Sequence, residues 1–140
     1  MLLNMTIAAL LMVITTAIHA SGMLLVFRVI LPKRAQNTKF RLRIHLFLVG
    51  GVVLLMFLVS VMEVLVWSAT YLWLDALENF EQATYFSMVT FTTLGYGEIV
   101  LSEQWRLLAS FEAANGIIMF GWTTAIVLAV VQRVYFSEKS

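Results

Sequence analysis

The chain has 140 residues, 61% of them hydrophobic and only 12% charged, with a net charge of +1 and a mean hydropathy of +0.93. Soluble domains carry about 25% charged residues, so there are too few charges here to clothe a water-facing surface, and the near-neutral balance offers nothing to nucleic acid or to an acidic substrate. Cysteine is absent, which excludes disulfides, thiolate metal sites and a thiol nucleophile.

The first apolar run covers residues 5–31, interrupted by small polar residues, His19 and a late Arg28. At about 1.5 Å per residue it outreaches a hydrocarbon core of about 30 Å. No basic residue precedes it as in a secretory signal, so it reads as a retained transmembrane helix ended by Pro32. A second run, 44–73, contains Gly50, Gly51 and a single acid, Glu63; a third, 105–135, contains Glu112, Asn115, Gly116 and Gly121. His19 and His45 fall in separate runs, and no metal constellation or nucleophile–base pair is visible, so no enzyme is expected. Between the second and third runs, residues 83–91 are apolar but too short to span, and glycines follow them. That arrangement predicts a re-entrant element, tolerated at membrane depth only where protein or a water path surrounds it.

Lys33, Arg34, Lys39, Arg41 and Arg43 crowd one short loop, whereas the segment 75–103 carries only acids. The positive-inside rule then places 32–43 in the cytoplasm, the N-terminus and the re-entrant loop outside, and the C-terminus inside. There is no repeat, linker or low-complexity tract, and the expected fold is an all-α membrane protein with three spanning helices.

Thr92-Thr93-Leu94-Gly95-Tyr96-Gly97-Glu98 is the segment most specific in its chemistry. Passing a dehydrated cation requires oxygens that replace its water shell without trapping it, which backbone carbonyls do. Turning successive carbonyls to one side requires backbone angles that glycine visits freely, and Gly95 and Gly97 supply them. The segment resembles the selectivity filter of tetrameric potassium channels, usually Thr-Val-Gly-Tyr-Gly-Asp, with Leu94 in place of the valine and Glu98 in place of the outer-mouth aspartate. Residues 83–91 resemble that family's pore helix, with Tyr85-Phe86 at the cuff around the filter, and Gly116 stands at the inner-helix hinge position. The resemblance covers residues 44–135 and leaves 1–43 as an additional N-terminal helix and basic loop, packed on the periphery of a pore domain spanning 44–140.

The resemblance implies a homotetramer in which Thr93, Leu94, Gly95 and Tyr96, with Gly97 completing the strand, ring K+ ions, and in which Glu98 sits at the mouth. It implies that Ile117, Thr124, Leu128 and Gln132 line the pore below. Permeant K+ and membrane lipid are the expected partners, with no cofactor. A single arginine in the first run is too few for a voltage sensor, and a separate regulatory subunit stays open. The alternatives are a weakly selective cation channel on the same scaffold and a non-conducting subunit of a larger channel. Glu112 and Glu63 fall at the depth of the pore helix. Because a lone carboxylate in hydrocarbon costs several kcal/mol, both are expected to support the filter through pore-helix hydroxyls such as Ser87 or Thr90, Glu112 foremost. No basic residue of the apolar runs stands out as a partner for either.

Overall fold

The computed structural model describes residues 1–30 and 41–136. These form α1 (Leu2–Leu25), continued by a π-helical turn over Val26–Ile30, then α2 (Arg41–Trp73), the short α3 (Phe80–Phe91) and α4 (Arg106–Phe136). The described residues are all helix and connecting segments, with no β-sheet. Three helices are long and apolar enough to cross a membrane, over Leu2–Arg28, Leu46–Trp73 and Arg106–Arg133. Lys33, Arg34 and Lys39 of the basic loop lie outside the described residues, whereas residues 41 and 43 already belong to the first turn of α2.

α3 begins at Phe80, three residues before the apolar segment from which it was expected. Asn79 is the reason: its side chain accepts a hydrogen bond from the Gln82 amide at 2.9 Å and occupies one of the helix's orphan donors. Twelve residues make α3 too short to span, and it lies against both α2 and α4.

Two apolar clusters hold the helices together. One surrounds α3 and joins Leu11, Trp67, Tyr71, Phe86, Phe91, Leu108 and Met119. The other joins Val26, Val52, Met56, Val59, Ile126 and Val130 where the three long helices cross. α1 runs parallel to α4, with Asn4 bonded to Gln104, Thr15 to Asn115 and His19 to Thr123. It therefore packs on both α2 and α4. Gly22 lets it come close to α2: a Cβ there would meet Val59 Cγ2 at 2.6 Å.

Candidate functional site: the strand after the short helix

The segment that follows α3 leaves helical geometry at once. Thr93, Gly95 and Gly97 have φ of +60°, +58° and +80°, while Leu94 and Tyr96 between them stay at negative φ. In an ordinary strand successive carbonyls point to opposite sides. Alternating left- and right-handed residues turns every second peptide plane over, so that the carbonyls share one side. The amides of Thr93, Leu94 and Gly95 are tied back to the end of α3, on Thr90 O at 2.9 Å and Val89 O at 2.9 and 3.3 Å. No carbonyl from 93 to 97 accepts a hydrogen bond among the described residues, and the strand is exposed on one side.

Space around the glycines explains nothing: a Cβ on Gly97 would meet no atom within 4 Å, and one on Gly95 only the Thr93 carbonyl at 4.0 Å. Their need is purely conformational. Thr93 was missed as the third left-handed position because a β-branched residue there is penalised, by about 1–3 kcal/mol.

Behind the strand lies a cavity of about 240 Å³ between Phe86, Val89, Tyr96, Val100 and Leu101. At its outer end the Tyr85 hydroxyl donates to Glu98 Oε2 at 2.9 Å. That bond, more than burial, raises the Tyr85 pKa above its ordinary value. It ties the mouth of the strand to α3.

Glu112 of α4 is fully buried against α3. Tyr71 Oη donates to its Oε2 at 2.6 Å, and Ser87 Oγ lies on its Oε1. One carboxyl thus joins α2, α3 and α4 directly behind the start of the strand. Tyr71, packed edge-on to Phe86 with ring centres 5.3 Å apart, went unnoticed in the sequence because it sits inside an apolar run.

Glu63 behaves differently from the expectation. Among the described residues it reaches no hydroxyl of α3; its Oε1 meets His19 Nδ1 of α1 at 2.9 Å, with both side chains fully buried. The neighbouring residue Val64 faces α3, where its carbonyl receives Ser87 Oγ at 3.0 Å. Position 63 is rotated about 100° around the helix from that face and meets α1 instead. The basic partner absent from a reading of the spans is therefore His19.

Along α4, Leu108, Glu112, Asn115, Met119, Ile126 and Val130 form the buried stripe. Ile117, Thr124, Leu128 and Gln132 fall on the open side, with Ile117 61% and Leu128 55% exposed. Gly116 is buried against α3: a Cβ would overlap the Phe91 carbonyl, so α4 continues unbroken past a point where two backbones touch.

A family model described as "Ion channel" matches residues 59–133, more than half of the chain, and takes in the end of α2, α3, the strand and nearly all of α4. The chain belongs to the two-helix ion channel family. No curated protein and no solved structure matches it. This ion channel protein, with three spanning candidates, is a multi-pass membrane protein.

Proposed function

We propose that this channel subunit is potassium-selective and that four copies surround one pore. The observation that carries the reading is the alternation of φ at Thr93, Gly95 and Gly97 beside a row of carbonyls with no internal partner. Carbonyl dipoles in that arrangement substitute for the hydration shell of a cation such as K+. One chain offers a single edge of such a cage, so closure requires a symmetric ring of copies. Thr93, Leu94, Gly95 and Tyr96 supply the oxygens, and the Glu98 carboxylate concentrates cations at the mouth. The open face of α4, with Ile117, Thr124, Leu128 and Gln132, lines the path below, where the C-terminal end of α3 adds its partial negative charge. Glu112 holds the pore helix from behind. The cluster of basic residues around 33–43 puts that loop in the cytoplasm of a cell membrane, with the N-terminus outside.

The test is ion flux into liposomes holding only the purified protein, with K+ and Na+ gradients compared. Potassium uptake without matching sodium uptake is expected. Equal uptake of both ions would replace this reading by a weakly selective channel, and no flux of either by a non-conducting subunit.

A further inference from the structure

At the junction of the two apolar clusters, α1, α2 and α4 meet through polar side chains. Thr15 and His19 come from α1, Glu63 from α2, and Asn115 and Thr123 from α4. His19 is the centre, with Nδ1 2.9 Å from Glu63 Oε1 and Nε2 3.3 Å from Thr123 Oγ1. Each ring nitrogen can donate or accept according to where the hydrogen sits, and the carboxyl and the threonine hydroxyl can each complement either arrangement. The Trp122 ring lies on the imidazole, with centres 5.0 Å apart.

Thr123, like Ser87 of α3, spends its hydroxyl on another helix. Thr15, Ser21, Ser68, Thr70, Ser110 and Thr124 all bond the carbonyl four residues back. Thr123 makes no such bond among the described residues and turns to His19 instead. It neighbours Thr124, on the open face of α4, so the contact grips the helix from behind at that level. Among the described residues of the three helices, Glu63 is the sole titratable group in contact with His19; Glu112 is engaged with Tyr71 and Ser87 eleven residues before Thr123, and Arg28 lies nine residues beyond His19.

We infer that His19, held by Glu63, is a positioning residue for α4: it couples the N-terminal helix to the pore-lining helix and sets the equilibrium between open and closed pore. The inference rests on the proposed role of α4 as pore lining, though not on potassium selectivity. Hydrogen bonds are directional, so a grip through Thr123 fixes α4 in rotation and height, which apolar packing alone leaves freer to slide.

Single-channel recording of the reconstituted full chain tests it. Thr123→Val keeps the shape and removes the hydroxyl; His19→Asn keeps a donor near Nδ1 and cannot reach Thr123. Both are expected to shift the open-to-closed ratio at least about fivefold in the same direction. Unitary current and the K+/Na+ reversal potential should stay at wild-type values. Thr123→Ser, which restores the hydroxyl, should recover the wild-type ratio, and the His19→Asn/Thr123→Val double variant should equal either single one. A ratio within about twofold of wild type in Thr123→Val, or additive effects in the double variant, would overturn the inference. Should His19→Asn fail to fold, the valine and serine variants decide alone. Block of a Thr124→Cys channel by a water-soluble thiol reagent separates the outcomes: without block the pore-lining reading itself fails, whereas block with unchanged gating in Thr123→Val rejects only the role given to His19.

Discussion

A left-handed backbone angle costs a residue with a Cβ about 1 kcal/mol or more, and the strand after α3, the proposed filter, asks for three of them in five residues. Two fall on glycine. Gly95→Ala or Gly97→Ala is therefore expected to abolish the proposed potassium selectivity, or conduction, since the penalty would recur in every copy of the proposed ring while no neighbouring atom obstructs the methyl group. Bi-ionic reversal potentials measure it, and unchanged selectivity in a folded Gly95→Ala channel would sink the filter assignment. Glu112 poses a different question. Ser87 has one hydroxyl hydrogen and two acceptors in reach, Val64 O and Glu112 Oε1; a hydrogen on Oε1 would complete the row. Glutamine imitates that arrangement, donating to Ser87 and accepting from Tyr71, so Glu112→Gln should fold and conduct. Glu112→Leu leaves Ser87 its bond to Val64 O but strands the Tyr71 hydroxyl, and should cost about 1–3 kcal/mol, read as a lower melting temperature. Currents of the wild type are expected to vary with external pH and those of Glu112→Gln to be flatter. Identical profiles would leave the carboxyl a structural tie alone.

Between elements, α4 comes up against the end of α3 where Gly116 lies under the Phe91 carbonyl. Gly116→Ala forces a backbone to move, and overpacking of this kind costs about 1–3 kcal/mol. The purified protein should melt at a lower temperature, whereas Gly121→Ala, with nothing within 4 Å of the added methyl, should leave melting unchanged or raise it. How far these relations were legible in the sequence depends on their range. Counting about 1.5 Å per residue set Glu112 at the depth of α3, and Ser87 was within its reach. Asn79 was readable as a cap, yet a start drawn from apolar residues alone passes over it. The His19–Glu63 pair was hidden because it joins residues 44 apart in sequence. Depth does not reveal how each helix is rotated, and rotation decides which neighbour an acid meets.

At the scale of the whole molecule, the N-terminal helix lies outside the segment matched by the family model, which begins at residue 59, yet it is bonded to α4 and the turn before it at three levels. The row of unpaired carbonyls has a consequence of another kind. In the proposed ring, oxygens gathered from several copies would form a site that separated chains lack, and the permeant ion would then also be a ligand of the quaternary structure. Linkage then makes assembly depend on the ion: a site that separated chains lack stabilises the proposed tetramer by RT ln(1 + [L]/Kd), about 2.7 kcal/mol at a concentration one hundred times Kd. Replacing K+ by Na+ in detergent solution should lower the temperature at which the oligomer dissociates, with Gly95→Ala abolishing the difference. The cation being transported would thus help to hold together the protein that transports it.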